Sequence, residues 1–257
     1  MEAVYKLTDN IAESRQWAAG PWSADQQHGS APSSLIAHTV EQIPAPQPMR
    51  VARMTIDLMR PVPVAPLEIK TQILREGRKI QLVGVQLFAA GVEVVRANVL
   101  RIRAQDVALP PEAAARPVIV PLPQDDGKPT VTHARNPFLS GLSMQEVSGG
   151  FLKSGPGAIW FRADRPIIEG IAMTPLMRAA VTADFCNGAS SVLDFTKYTF
   201  INADLTISLA RMPVGEWILL DAESWIGENG AGIAFGGLAD AHGYFGRSIQ
   251  SLVIEPR

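Results

Sequence analysis

The sequence contains very little cysteine. Cys186 is the single thiol among 257 residues, so no disulfide can form within the chain. With this one thiol, the four histidines lack the spacing of zinc ligands, and we expect neither a metal site nor another cofactor. The scarcity of cysteine favours a reducing compartment, so we expect a cytoplasmic protein.

An excess of charge of one sign and a long apolar run are also missing. The formal net charge is −2 at pH 7, which gives no broad basic field for phosphate backbones, so nucleic acid is not an expected partner. No apolar run approaches the ~20 residues that span a bilayer. The segment from Met1 to Lys6 lacks the basic and apolar parts of a signal peptide. One or two ordinary domains without a membrane span are predicted.

The chain does contain a degenerate internal duplication. Ser30-Ala31-Pro32 opens an apolar stretch that ends at Glu41, and Thr174-Pro175 opens a similar stretch that ends at Asp184. Strand-like runs follow each stretch. When the two prolines are superposed, Glu41 lies opposite Asp184. This repeat predicts two fused copies of one small α+β unit.

Alternation and turn residues predict antiparallel strands in both copies. In residues 67–73, apolar side chains alternate with polar ones, as in a half-buried strand. Strands are predicted over 80–88 and 92–103 in the first copy, and over 217–226, 231–240 and 245–254 in the second. The turns between them are Ala90-Gly91, Asn229-Gly230 and His242-Gly243. We expect each copy to form an antiparallel meander.

A proline-rich and alanine-rich segment separates the copies. Its prolines prevent a long helix or a central strand. We therefore predict an N-terminal unit over residues 1–104, a crossover linker on the surface over 105–140, and a C-terminal unit over 141–257. The opening strands of the second unit are expected within 147–165, and those of the first near Val4 to Leu7.

Five short segments, in this order and spacing, carry a resemblance to a known family. They are Gln27-His28-Gly29-Ser30, Asp57-Leu58-Met59-Arg60-Pro61, Ala183-Asp184-Phe185, Ile201-Asn202-Ala203-Asp204 and Arg247-Ser248-Ile249-Gln250. Through them, nearly the whole chain resembles the acyl-CoA thioesterase II-like family, the double hotdog thioesterases. The resemblance implies an α+β fold of two fused hotdog units, each with a long helix wrapped by a curved antiparallel sheet.

The resemblance also implies a catalytic set. The carboxylate, the hydroxyl or amide, and the glutamine of the family match Asp184, Asn202 and Gln250. Many members carry threonine where this chain has Asn202. The expected activity is hydrolysis of an acyl-CoA or other acyl thioester by water that the carboxylate activates, in fatty acid metabolism.

The residue pattern by itself also indicates Asp184 as a candidate functional residue, but it leaves structural alternatives open for each residue of the set. Met177, Ala180 and Asp184 share the apolar stripe of the second helix, so the carboxylate should face the sheet and require hydrogen-bond donors. Asp184 could instead only terminate that helix. Asn202 could be a turn residue before a strand, and Gln250 could occupy an exposed edge position.

His28, Gly29 and Ser30 precede the first helix and form the expected substrate-binding half of the site. Free backbone N–H groups at a helix start can stabilise an oxyanion, and Gly29 permits close approach. For Ser30, helix capping is the favoured interpretation. His28 could contact the acyl chain or the thioester, or it could be structural.

Other chemistries fit the sequence less well. Gly227 to Gly232 lacks the ending of a phosphate loop, and Gly141 to Gln145 lacks the second glycine of a nucleophile elbow. Cys186 is expected to be a buried, inert thiol. The alternatives to a thioesterase are a non-catalytic acyl-thioester binding protein and an enoyl-CoA hydratase. A hydratase needs an Asp–His pair in a suitable loop, and none is evident in the sequence. A homo-oligomer is compatible with the sequence.

Overall fold

The computed structural model describes residues 1–113, 116–124, 136–151 and 153–257. The strands of the first half are β1 (Tyr5–Thr8), β2 (Ile11–Ser14), β3 (Met49–Leu58), β4 (Pro66–Glu76), β5 (Ile80–Ala89) and β6 (Val92–Arg103). Those of the second half are β7 (Leu142–Ser148), β8 (Gly157–Ala163), β9 (Tyr198–Asn202), β10 (Asp204–Leu209), β11 (Ile218–Ile226), β12 (Ala231–Asp240) and β13 (Gly243–Pro256). The helices are α1 (Ser30–Glu41), α2 (Pro175–Ala183) and α3 (Cys186–Ala189).

The strands in the described part of the chain form one antiparallel sheet. Its order is β1-β2-β4-β5-β6-β3-β10-β13-β12-β11-β8-β7, and β9 pairs with β13 beside this path. The two halves meet where β3 pairs with β10, with Thr55 opposite Thr206. Polar side chains on β13 therefore lie in the interior of the sheet rather than at an edge.

Helices α1 and α2 pack against each other and against the sheet. Ten of the twelve residues of α1 are buried, and so are seven of the nine in α2. Pro175 occupies the first turn of α2, and the Thr174 side chain accepts a hydrogen bond from Met177 N at 3.2 Å, so this helix start is capped as its sequence predicts. Both helices lie where the sequence predicts them, but at twelve and nine residues they do not confirm the long helices that the resemblance implies.

The predicted meanders are confirmed as strands β4 to β6 and β11 to β13. Ala90, Gly91, Gly230 and Gly243 all have positive φ in the turns between them. The expected alternation along β4 holds only as far as Ile69, because every residue from 70 to 76 is exposed. The last part of β4 therefore extends beyond the helices that cover the sheet, and the half-buried prediction is wrong there.

The predicted linker lies partly outside the described residues, at 114–115 and 125–135. Its described part has short 3₁₀ turns at Pro111–Ala113 and Leu139–Gly141. Trp160 Nε1 donates to Pro121 O at 2.9 Å, so this portion packs over β8. The expectation of a surface segment is wrong near its end, because Phe138 and Leu139 are apolar and buried. Strand β7 begins at Leu142, earlier than expected.

No helix among the described residues has both the length and the apolar character needed to cross a membrane.

Candidate active site

Asp184 lies where α2 ends. It is the C-terminal cap of that helix, with φ −75° and ψ −9°, so the expectation that it terminates the helix is correct. Its carboxylate is 3% exposed and meets side chains from the start of α1 and from two strands. The contacts are Ser30 Oγ at 3.2 Å and His28 Nδ1 at 3.0 Å to Oδ2, and Asn202 Nδ2 at 3.2 Å and Gln250 Nε2 at 3.1 Å to Oδ1.

Gln250 is fully buried on β13, so its interpretation as an exposed edge residue is wrong. Its Nε2 donates to the backbone oxygen of Asp184 at 2.9 Å as well as to the carboxylate, and its Oε1 accepts from Asn187 N at 3.0 Å. One side chain thus satisfies backbone groups at the end of α2 and in α3. Burial of both helix ends depends on such partners.

Asn202 lies at the end of β9. Its Nδ2 atom is 3.2 Å from Asp184 Oδ1 and 3.3 Å from the backbone oxygen of Asp204. The second contact is the local bond expected of a turn residue, while the first joins the amide to the carboxylate. Asn202 therefore makes a local turn contact and also a direct contact with the Asp184 carboxylate.

His28 forms the Asp–His pair that the sequence did not reveal. The imidazole stacks on Phe138 with ring centroids 4.9 Å apart, and it contacts Phe185 in a tilted arrangement at 4.6 Å. Its side chain is 11% exposed, and Nδ1 lies 3.0 Å from Asp184 Oδ2. This contact was not indicated by the sequence, because it forms only when the packing of α1 on α2 brings distant segments together.

Gly29 and Ser30 begin α1 beside the carboxylate. Gly29 is the N-cap, with φ −58° and ψ −26°, and a Cβ at this position would lie 2.6 Å from Asp184 Oδ1. Glycine is thus required here by close approach rather than by backbone conformation. Among the described residues, nothing accepts a hydrogen bond from the Gly29 N–H.

Ser30 does not cap its helix, so the favoured interpretation of this residue is wrong. Its Oγ donates to the backbone oxygen of Val181 at 2.9 Å and also approaches Asp184. The Ser30 side chain therefore points toward α2 and not toward the free N–H groups at the start of its own helix. The backbone N–H of Ser30 donates a hydrogen bond to His28 Nδ1 at 3.2 Å.

A cavity of about 1050 Å³ opens above this cluster. Asp184, Asn202, His28 and Gly29 all contribute to its wall. The apolar part of the wall includes Trp22, Leu58, Phe151, Phe185, Phe195 and Phe200. Two exposed cationic side chains, Arg60 and Lys153, also line it. An apolar cavity with a polar end suits a ligand that has a long hydrocarbon part and one reacting polar group.

Sequence reasoning missed the aromatic part of this wall. Trp22 stacks on Phe195 with ring centroids 4.7 Å apart, and Phe200 meets the Trp22 ring edge-on at 5.6 Å. Trp22 comes from the loop before α1, and Phe195 from the loop before β9. Neither residue belongs to a periodic pattern, so no sequence signal identified them.

Cys186 is buried next to Asp184, as the sequence predicts, and burial raises the pKa of its thiol to about 12, which favours the less reactive protonated form. Within the described ranges, no group of histidine, cysteine and carboxylate side chains could hold a metal ion.

Comparisons with solved structures define the class of the fold. The chain is similar to a conserved protein with a hotdog fold from Alicyclobacillus acidocaldarius, with a TM-score of 0.74 and 14% identity over 98% of this chain and 95% of that one. It is also similar to an acyl-CoA thioesterase II from Mycobacterium marinum, with a TM-score of 0.68 and 16% identity over 98% and 95% of the two chains. The protein therefore has a hotdog fold.

Domain-family matches then give the family. The acyl-CoA thioesterase N-terminal domain matches residues 18–102, and the acyl-CoA thioesterase C-terminal domain matches residues 111–254. The chain belongs to this acyl-CoA thioesterase family. A comparison with curated protein sequences gives no match.

Proposed function

We propose that the protein hydrolyses acyl-CoA thioesters in the cavity above Asp184 and releases a free carboxylic acid and a thiol. Its family makes the chain a thioester hydrolase. The observation that supports this particular site is the Asp184 carboxylate, 3% exposed and held by donors from α1, β9 and β13 at the polar end of an apolar cavity. An ionised carboxylate held in this way can drive removal of a proton from water.

In the proposed reaction, the Asp184 carboxylate takes a proton from water as the water oxygen bonds to the thioester carbonyl carbon. The Gly29 N–H, which has no partner among the described residues, donates to the resulting oxyanion. When the oxyanion collapses, the C–S bond breaks, the protonated Asp184 returns its proton to the departing thiolate, and the acid and thiol leave. The negative charge of Asp184 favours the first proton transfer. No cofactor takes part in these steps.

Asn202 and Gln250 have a positioning role in this proposal. Both amides donate to Asp184 Oδ1, at 3.2 Å and 3.1 Å. Buried polar groups need hydrogen-bond partners, and these two bonds also hold the carboxylate in one orientation toward the cavity. Arg60 and Lys153 at the cavity wall are suitably placed and charged for the phosphates of a coenzyme A substrate.

The strand register supports two fused hotdog units. Thr55 and Thr206 face each other in the central pair β3–β10. Asn98 pairs with Thr55 in the first half, as Ile249 pairs with Thr206 in the second. We therefore propose a double hotdog with units at 1–104 and 141–257 joined by 105–140, in which the sheet wraps α1 and α2. We also propose that the protein acts in fatty acid metabolism in the cytoplasm. We propose further that it forms a homo-oligomer.

Thiol release by the purified protein tests this function. Acyl-CoA substrates of increasing chain length are mixed with the protein, and free thiol is measured with a thiol-reactive dye. We expect catalytic release with at least one chain length. Tight binding of every substrate without release indicates a non-catalytic binding protein, and hydration of an enoyl-CoA without release indicates a hydratase.

A further inference from the structure

A second cavity lies at the turn between β4 and β5. Its volume is about 610 Å³, and we call it the hairpin pocket. Four of the six residues in its wall are cationic and none is acidic: they are Arg75, Gly77, Arg78, Lys79, Ile80 and Arg103. The chain as a whole has a formal net charge of −2. The hairpin pocket is therefore a local cluster of positive charge on a protein that is slightly acidic.

The hairpin pocket is remote from the candidate active site. The Gln47 side chain donates to the backbone oxygen of Arg78, so the turn contacts the segment that follows the last residue of α1. Gly29 and Asp184 meet at the first residue of the same helix. A helix of twelve residues is about 18 Å long. A ligand in the hairpin pocket is therefore separate from a thioester carbonyl at Asp184.

The four cationic side chains of the hairpin pocket lack counter-ions. Within the part of the chain that the structure describes, none of them makes an ion pair or a side-chain hydrogen bond. The neighbouring carboxylate of Glu76 accepts instead from Gln81 Nε2, at 3.1 Å. Close to them, Arg101 is 7% exposed, and its Nη1 donates to neutral oxygens of Gln81 and Ile43 at 2.9 Å and 2.8 Å. Gathered like charges repel one another, so an entering anion is attracted by all of them.

The shape and the donors of the hairpin pocket indicate which anion it suits. A volume of about 610 Å³ lies in the range of small-molecule sites, so the pocket holds more than one small ion. Three of its cations are arginines, whose planar guanidinium groups match phosphate oxygens with two hydrogen bonds each. Its described wall has no aromatic side chain on which a nucleobase could stack. These features favour linked phosphate groups.

We propose that the hairpin pocket binds the diphosphate group of a small molecule. The guanidinium groups of Arg75, Arg78 and Arg103 donate to the phosphate oxygens, and the Lys79 ammonium adds a fourth positive charge. Such a group has two sources, a free nucleoside diphosphate and a coenzyme A molecule that is not the one in the active site. Inorganic pyrophosphate is the simplest form of their shared chemistry. The proposal concerns binding alone and does not rest on the proposed function.

Isothermal titration calorimetry of the full chain with inorganic pyrophosphate tests the proposal. We expect a Kd at or below ~1 mM that rises with ionic strength, because salt screens exposed charges. The double variant Arg78→Gln/Lys79→Gln should raise the Kd by about 10-fold or more, since hydrogen bonds between ionised partners are the strong ones. Both side chains are exposed, so this variant should fold. Arg75→Gln, at another exposed residue, should weaken binding in the same direction.

The matched control is Arg60→Gln/Lys153→Gln, which removes the same number of cations from the cavity above Asp184. Its Kd for pyrophosphate should stay close to that of the parent. Equal weakening in the control, or no binding by the parent, overturns the proposal. Thiol release is measured separately, and its absence bears on the proposed function alone.

Titration with ADP and with coenzyme A then distinguishes the two sources. A ligand whose affinity falls in Arg78→Gln/Lys79→Gln, but not in Arg60→Gln/Lys153→Gln, occupies the hairpin pocket. We expect at least one of the two to show this pattern. If both ligands bind equally well to the parent and to both variants, the proposal is overturned.

Discussion

The Thr174 hydroxyl donates a hydrogen bond of 2.7 Å to Glu41 Oε2. This contact joins the start of α2 to the end of α1, whereas Ser30 and Asp184 join the start of α1 to the end of α2. Each end of the helix pair therefore has a hydroxyl and a carboxylate. Burial raises the pKa of the Glu41 carboxyl, and the Thr174 hydrogen bond partly opposes that shift.

The two ends of the α1–α2 pair differ in the residues of the strand that lies beside each end. The register that matches Asn98 to Ile249 also matches Val99 to Gln250, and Val99 is fully buried. An apolar side chain cannot donate to a carboxylate, so the Glu41 end lacks the contacts that hold Asp184. We predict one active site per chain. Titration with a non-hydrolysable acyl-CoA analogue should saturate at one per chain, and two equivalent sites would contradict the predicted asymmetry.

Gly29→Ala should impair hydrolysis although alanine suits the local backbone. The new Cβ would lie 2.6 Å from Asp184 Oδ1 and 2.8 Å from Oδ2, so the carboxylate or the start of α1 must move. Displacement of a reacting group by about 1 Å can cost on the order of 10²-fold in rate. Gly77→Ala is the control, since its Cβ would have only one neighbour, at an ordinary 3.4 Å. Equal kcat values for the two variants would refute the steric argument.

Gln250→Ala should reduce both stability and rate. Removal of the side chain leaves the buried Asn187 N–H without its acceptor, which costs about 1–3 kcal/mol in free energy of unfolding. The rate should fall because Asp184 loses a donor, while binding of a non-hydrolysable analogue persists. Denaturant titration and kcat measure the two effects. Ile249→Ala is the control, because Ile249 is an exposed neighbour on β13, and it should change the free energy of unfolding by no more than about 0.5 kcal/mol. If Gln250→Ala loses only the binding of the analogue, Gln250 is a substrate contact and not a positioning residue.

Cys186 should be dispensable for the reaction. Its thiol is buried, and its pKa of about 12, raised mainly by desolvation, keeps it protonated in the folded protein at neutral pH. We expect no alkylation by iodoacetamide until the chain is unfolded. Cys186→Ala should retain a kcat within a few-fold of the parent. Rapid labelling of the native protein, with matching loss of thiol release, would instead indicate a cysteine nucleophile.

Much of the fold could be predicted from local patterns. The prolines near the two helix starts, Pro32 and Pro175, identify both helices, and glycine turns identify the hairpins. The alternation along β4 led to a wrong prediction of burial, because periodicity indicates that a strand has two different faces but not whether another element covers either of them. Coverage depends on where α1 and α2 end over the sheet, which is a tertiary property.

The site was predictable only in part. Asp184, Asn202 and Gln250 were brought together by the family resemblance, since as isolated residues each had an ordinary structural explanation. Contacts between the two helices could not be predicted, because Ser30 and Asp184 are 154 residues apart and meet through packing. The pairing of His28 with Asp184 was missed for the same reason.

Thiol release by an Asp184→Asn variant, compared with Glu41→Gln, tests the central claim most directly. Asparagine keeps the size of the side chain but removes the charge that favours proton transfer from water. We predict that the folded Asp184→Asn variant loses on the order of 10²-fold or more in kcat, while Glu41→Gln remains close to the parent. Near-normal release by Asp184→Asn, or an equal loss in Glu41→Gln, would contradict the account.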